Sequence, residues 1–590
     1  MVLAGPGSGK TSVITARAVF FAEKKFGNVL VITYSKAAAT EMQDRFEKLN
    51  GSASSLITFG TFHSVFYRML RRKQNYSLEQ IFNEGERKTL VRGFLKEMKY
   101  DLEDDLIKSI MSEMALVRNE LLEINDFNSS NITPDDFRQL FAKYEEYKRT
   151  HNKIDFDDML CTAYNVLRND PAELDYWRRK YPYMMIDEFQ DINKVQYEAM
   201  RILAQPANNL FIVGDDDQSI YRFRGSRPEF LLNFPADYPQ ARRVTLATNY
   251  RSTDAVIAYA NSVITKNEVR YNKDIVGTGQ SGPLPLIITA EDQNQEAVKI
   301  AERIRDMLRK GANPSEIAVA YRLNLQARAF MDAFLNMNIP FRSRDEMPTL
   351  YEHWIAEDIY AYLRLAKKVY NKQKMGFDPD LHRIINKPYR FISKAFIAEA
   401  KKHDKDMLKM YKTDKNLHIS TKSNIEALHS ALLSIGRMKT ANAIKYIRRE
   451  IGYNLHIIDT CDYRRLKPQG LMEIADELTE AAKLYSDSLD FIAHCKYISE
   501  IAKQKDNNEA CCLLTTLHSA KGLEFEKVFI AGVVEDVLPS VYSKTKQEIE
   551  EERRLFYVGV TRAKHELYIS IVKSRYDKPV KPSRFLGVKK

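Results

Sequence analysis

Residues Ala4-Gly5-Pro6-Gly7-Ser8-Gly9-Lys10-Thr11 follow a three-residue apolar run, Val2–Ala4, and open onto a helical pattern from Ser12 to Phe21. A glycine-rich turn between a strand and a helix is the setting in which backbone N–H groups converge on phosphate oxygens. The helix start adds positive potential, Lys10 is placed to reach the terminal phosphates, and Thr11 offers a hydroxyl to Mg²⁺. The strict pattern begins with Gly, and Ala4 stands there instead. That position needs no positive φ, so a one-carbon side chain is a mild departure. This feature commits the chain to a parallel α/β core, because the loop works only at the carboxyl end of such a strand.

A phosphate loop alone leaves kinases, GTPases and many ATPases open. Met184-Met185-Ile186-Asp187-Glu188 narrows the choice. Asp187 at a strand end can hold the Mg²⁺ shell, and Glu188 beside it can orient or deprotonate an attacking water. An Asp-Glu pair therefore favours hydrolysis over transfer to a second substrate. Outside this context, the same pair would read as a solvated strand end.

Four short apolar runs end in polar or Gly-containing loops: Val2–Ala4, Val29–Thr33, Met184–Ile186 and Leu210–Val213. They suit strands buried on both faces. A second set, Ile317–Tyr321, Leu513–Thr516, Val528–Ala531 and Leu567–Ile571, repeats the pattern, so two cores are expected. Between Thr61 and Tyr181 the pattern turns helical, with Phe137, Leu140, Phe141 and Tyr144 at i, i+3, i+4 and i+7. A longer helical stretch runs from Lys367 to Gln504, and Glu548–Arg554 reads as an exposed helical start.

The 590 residues suggest about four domains. With 44% hydrophobic and 29% charged residues, collagenous and largely disordered classes are excluded. No apolar run approaches the roughly 18 residues of a membrane span, and no basic segment precedes an apolar leader. A cytoplasmic protein without membrane partners is expected. The five cysteines show no metal-ligand spacing and are read as reduced thiols. The net charge of +11 makes polyanions plausible partners. Ile392–Glu450 alone carries 13 Lys/Arg and 6 Asp/Glu, 13 − 6 = +7, which a solvated helical face explains equally well.

Eight segments in order carry a resemblance: AGPGSGKT (4–11), TYSKAAATEM (33–42), GTFHS (60–64), DEFQD (187–191), VGDDDQSIYRFRG (213–225), NYRS (249–252), HSAKGLEF (518–525) and YVGVTRAK (557–564). With them the chain resembles UvrD/Rep/PcrA-type superfamily 1 DNA helicases, nearly end to end. The resemblance implies an α/β fold of two RecA-like parallel-sheet P-loop cores, each interrupted by a mostly helical domain. The expected boundaries are 1–66 and 150–243 for the first core, 67–149 for its insert, 244–366 and 505–590 for the second core, and 367–504 for the second insert. ATP is expected in the cleft between the cores, bound by residues 4–11.

The resemblance also implies roles. Gln218 senses the γ-phosphate, Tyr250 stacks on adenine, Glu524 contacts the ribose, and Arg251 and Arg562 reach the transferring phosphoryl group from the second core. Tyr34, Phe62, Tyr221 and Phe223 match positions that stack on bases, with Arg224 and His63 adding backbone or base-edge contacts. Phe223 stands where relatives usually carry Trp. Tyr576 lies near an aromatic that follows the last segment. The expected partners are single-stranded DNA, single/double-strand junctions and accessory proteins of repair or replication, with 3′-to-5′ stepping. Relatives carry an upstream segment whose glutamine reads the adenine edge, whereas only Met1, Val2 and Leu3 precede Ala4 here. Looser adenine selection, or a start inside the first core, is therefore implied. Pro582–Leu586 resembles the family's end of the second core, so no nuclease domain is expected. The competing expectations are an ATPase-impaired binder of single-stranded DNA or a partner, and a P-loop ATPase acting on proteins.

Overall fold

The computed structural model describes the chain except residue 75 and residues 101–103, 346–348, 414–417, 465–467, 504–509 and 588–590. It divides into two compact units. One comprises Met1–Pro285, Pro539–Leu567 and Phe585–Lys590; the other comprises Leu286–Leu538 and Tyr568–Arg584.

The first unit holds a six-stranded sheet made of β1 (Val2–Ala4), β2 (Val29–Thr33), β3 (Ile57–Thr61), β4 (Tyr183–Ile186), β5 (Leu210–Gly214) and β6 (Val244–Leu246). Their order is β3-β2-β4-β5-β1-β6, and every neighbouring pair is parallel. The four apolar runs read from the sequence are strands. The sequence reading did not find β3 and β6, because β3 carries two threonines and a glycine and β6 is largely exposed at the sheet edge. β6 pairs with β1, so residues 244–246 join the first sheet, although the expected boundary put them in the second core.

Between β3 and β4 the unit is helical. The Pro134–Thr150 helix buries Phe137, Leu140 and Tyr144, three of the four positions that its periodicity singled out. Its polar edge meets a buried ionic cluster. Asp155 is fully buried, caps the Phe156–Asn169 helix, and accepts from Arg118 Nη1 at 3.2 Å and from the Tyr144 hydroxyl at 2.9 Å. Lys148 Nζ stands 3.6 Å from the same carboxylate. Removing one partner of such a cluster strands the others without solvent. Asp155→Ala is accordingly expected to lower stability by about 3 kcal/mol in denaturant melts.

Glu548–Arg554 departs from its expected exposure. A capping box between Thr545 and Glu548 starts the Lys546–Val560 helix. Glu550, Glu552 and Arg554 are nevertheless buried, because the neighbouring backbone uses them: Glu268 N–H donates to Glu550 and Arg554 donates to the Val269 carbonyl. A charge run is blind to backbone groups that need partners.

The second unit carries β7 (Leu286–Ala290), β8 (Ile317–Tyr321), β9 (Phe341–Ser343), β10 (Cys512–Thr516), β11 (Phe525–Ile530) and β12 (Ala563–Val572), in the order β7-β12-β11-β8-β10-β9. β12 enters this unit after Leu567. The pairs β7–β12, β11–β8, β8–β10 and β10–β9 are parallel. From Trp354 to Lys503 the described residues form helices and turns without a strand. One apolar core runs from the sheet into this helical stretch, including Val319, Ile355, Leu432 and Ile444.

No helix among the described residues is long and apolar enough to cross a membrane. All five cysteines are free thiols, four of them buried.

Candidate ATPase and nucleic-acid site

β1 delivers its last residue, Ala4, fully buried in extended backbone, which is why the side chain is accommodated where the pattern prefers Gly. Gly7 and Gly9 have φ of 65° and 83°. Gly7 is constrained twice, since a Cβ there would lie 2.7 Å from Asn249 Oδ1 and 2.6 Å from Arg251 Cβ. The NYRS segment thus rests on the phosphate loop, and Tyr250 N–H donates to the Gly7 carbonyl at 3.0 Å. Asn249 Oδ1 accepts from the backbone N–H of Arg251 and Ser252 and holds the turn. Ser8 Oγ donates to the Gly5 carbonyl, and Lys10 Nζ points back to the carbonyls of Ala4 and Gly5 at 3.5 and 3.3 Å. Pro6 lies in the turn and Thr11 in the first helical turn of Lys10–Lys24, where the unsatisfied N–H groups favour anions.

Asp187 and Glu188 follow β4. Asp187 is buried, and its carboxyl is pushed up to about 7 by that burial and then by the Glu188 charge. Its Oδ1 accepts no hydrogen bond among the described residues. Glu188 adopts φ 50°, a left-handed conformation that its neighbours must hold. Gln190 does so. Its Nε2 donates to Glu188, while its Oε1 accepts from Asp215 N–H at 2.8 Å, joining the DEFQD turn to the loop after β5.

That loop carries Gln218, whose Nε2 donates to Asp215 Oδ2 at 2.6 Å. Arg562, 2% exposed just past the Lys546–Val560 helix, donates to Gln218 Oε1 at 3.4 Å and to the Val558 carbonyl at 2.9 Å. Arg251 Nη1 reaches the Thr561 carbonyl at 3.5 Å. Both arginines, Gln218 and the phosphate loop therefore lie in one compact unit. Tyr250 is 70% exposed beside the loop, an open ring face of the kind that can stack on a base.

A second set of side chains lies on the same unit. The Tyr34 and Tyr221 rings are stacked, 5.4 Å apart and 1° from parallel, and Tyr221 meets Phe223 at 6.2 Å. The Arg224 guanidinium covers both Tyr221 and Phe223. Phe223 is 57% exposed, whereas Phe62 is 6% exposed and packs on Phe66, so its ring serves as a wall rather than a free platform. Burial holds the His63 imidazole below its ordinary pKa, so it is neutral at neutral pH. Tyr34, Phe62, His63 and Arg224 line a cavity of about 290 Å³ that also reaches Asp187 and Glu188. The aromatic surface and the carboxylate pair share one wall.

Glu524 and Tyr576 fall in the second unit. Glu524 is exposed immediately before β11. Tyr576 sits with Asp577 in a two-residue turn, both at positive φ, between Ser574–Arg575 and Lys578–Pro579. Its hydroxyl donates to Glu477 at 2.9 Å, anchoring the turn to the Pro468–Ala481 helix. No metal-ligating group of three or more His, Cys, Asp or Glu occurs among the described residues.

Residues 1–239 match the model of the UvrD/REP helicase N-terminal domain, and residues 244–574 match that of the UvrD-like helicase C-terminal domain. The chain belongs to the UvrD/REP helicase family. It is 31% identical to the putative ATP-dependent DNA helicase YjcD of Bacillus subtilis over 99% of this chain and 78% of that protein. It is 30% identical to the ATP-dependent DNA helicase PcrA of Staphylococcus epidermidis, over 99% of this chain and 83% of the relative. PcrA of Staphylococcus aureus is 29% identical with the same coverage.

Sequence reasoning missed several residues within this family frame. Gln190, Asn249 and the three aspartates 215–217 lay inside recognised segments without an assigned task. Phe156 is 49% exposed and meets His63 edge-to-face, with the ring centroids 5.8 Å apart, extending the aromatic surface. Arg270 and Lys273 lie in a stretch with no periodicity, and only the fold brings them to Asp215–Asp217.

Proposed function

We propose that the chain is an ATP-dependent DNA helicase that steps 3′ to 5′ along single-stranded DNA and separates strands at single/double-strand junctions. The observation that carries this reading is the shared wall: the carboxylate pair for hydrolysis and the rings of Tyr34 and Tyr221 line one cavity. Loss of the γ-phosphate at one side can be felt as a change of grip at the other. Stacking contributes about 1–3 kcal/mol per base and tolerates any sequence, as a stepping motor requires.

The roles are those the family resemblance implies, and the gathering of the phosphate loop, Gln218 and both arginines in one compact unit supports them. Residues 4–9 present backbone N–H groups to the phosphates, Lys10 neutralises them, and Tyr250 stacks on the adenine. Glu188 takes the proton of the attacking water. Gln218 and the guanidinium groups of Arg251 and Arg562 face the charge that develops in the transition state. A divalent cation fits: Asp187 presents a buried, unsatisfied carboxylate oxygen, and Thr11 provides a hydroxyl at the helix start. These two would hold Mg²⁺, which neutralises charge on the nucleotide phosphates. On the DNA side Tyr34, Tyr221 and Phe223 form the stacking row, Phe62 and His63 its wall, and Arg224 backs it. Glu524 at the ribose and Tyr576 on DNA are carried by family resemblance alone.

ATP turnover is expected to be low alone and to rise at least about tenfold with saturating oligo(dT), and oligo(dT) affinity to fall steeply between 50 and 200 mM salt as counterions are released. A coupled-enzyme assay and a fluorescence-anisotropy titration measure the two. No rise would leave the ATPase-impaired binder of the same fold in its place. Phe223→Ala is expected to weaken strand separation by roughly tenfold while ATP turnover stays within about threefold, since one stacking contact is lost and no phosphate contact is touched. Normal unwinding by that variant would remove Phe223 from the row.

A further inference from the structure

Asp215, Asp216 and Asp217 are consecutive and all but fully buried. Three carboxylates in one turn need cations, and two residues from a single irregular segment supply them. Lys273, whose side chain is 1% exposed, donates to Asp215 Oδ1 at 2.6 Å and to Asp216 Oδ1 at 2.5 Å, and stands 3.1 Å from Asp217. Arg270 forks onto Asp217, with Nε to Oδ1 at 2.9 Å and Nη2 to Oδ2 at 2.7 Å. Tyr271 N–H donates to the remaining Asp216 oxygen at 2.7 Å. Nothing in the ATP-binding roles described above uses this clamp.

Its consequence lies one bond further on. Asp215 Oδ2 is the partner of Gln218 Nε2. An ionised carboxylate only accepts, so it can face the nitrogen of the Gln218 amide and never its oxygen. The amide is thereby kept from flipping, and its Oε1 is directed to Arg562.

We propose that Lys273, braced by Arg270, is a positioning residue for ATP hydrolysis: by holding one oxygen of Asp215 it keeps the other gripping the Gln218 amide, and so sets the direction in which Gln218 presents its carbonyl oxygen. The inference rests on the helicase reading and deepens it. Burial alone would raise the Asp215 carboxyl; the Lys273 and Lys10 charges, with the hydrogen bonds from Lys273 and Gln218, outweigh it and hold the group below the ordinary carboxylate range. Without the ammonium, Asp215 loses its main reason to stay ionised, and a protonated carboxyl can donate to the amide oxygen instead.

The test uses the full chain with saturating oligo(dT). Lys273→Met is expected to lower kcat about a hundredfold, the cost of a misplaced catalytic group, with KM for ATP and Kd for oligo(dT) within about threefold of wild type. In a Gln218→Ala background the same substitution is expected to change kcat by no more than about twofold, because the side chain it positions is gone. A purely structural role would instead multiply the two losses, which overturns the proposal, as does a Lys273→Met enzyme with wild-type kcat. Asp215→Asn preserves shape and removes the charge-set direction; it is expected to show the same kcat loss and the same dependence on Gln218, so a Lys273→Met protein that fails to fold leaves the proposal open to refutation by this variant. A wild-type chain inactive toward ATP with oligo(dT) would defeat the helicase reading itself, whereas an active wild type with unaffected variants defeats the clamp alone.

Discussion

Glu188→Gln is expected to cut DNA-stimulated ATP turnover by about 10³-fold while ATP still binds, because general-base catalysis contributes about 10² to 10⁴ and an amide cannot take a proton. The side chain projects from a residue at φ 50° and is held by Gln190, so the substitution keeps shape and the left-handed turn and changes only basicity. Single-turnover hydrolysis with radiolabelled ATP measures the loss, and equilibrium binding of the same nucleotide measures what persists. A variant hydrolysing at more than a tenth of the wild-type rate would assign the proton to another group.

Arg562→Ala has an expected loss of comparable size. An arginine supplied to a transferring phosphoryl group accounts for about 10³ to 10⁵ in kcat. Arg562 is 2% exposed and is steadied by the Val558 carbonyl and Gln218. Such burial is costly for a guanidinium unless an anion of high charge arrives. Arg562→Lys is expected to recover little, since a compact ammonium lacks the rigid planar fork that matches two oxygens of one phosphoryl group. The readout is kcat at saturating ATP and oligo(dT), with thermal melts showing that the fold survives. A loss confined to KM would make Arg562 a ground-state contact.

Much of the site was legible before the fold was known. The phosphate loop and the Asp187–Glu188 pair are local: short strand, sharp turn and candidate side chain lie within a dozen residues, so their chemistry can be read from spacing, whereas the stacking role of Tyr221 and Phe223 came from the family resemblance. The strands β1, β2, β4, β5 and β8 were legible for the same reason, being continuous apolar runs buried on both faces. β3, β6, β7 and β9 were not, because half-buried or edge strands mix threonine, glycine and charge with apolar residues. The buried face of the Lys546–Val560 helix was misjudged because charged residues there serve backbone groups distant in sequence.

Sequence alone determined that this chain handles nucleoside triphosphates, hydrolyses rather than transfers, and belongs beside the UvrD/Rep/PcrA proteins. Only tertiary structure decided which partners hold the side chains proposed for catalysis. Lys273 lies 58 residues from Asp215, and Arg562 lies 344 from Gln218. Such pairs are chosen by the packing of strands and loops around buried charge, which must find a counter-charge wherever the fold supplies one, and no periodicity in the chain records that choice.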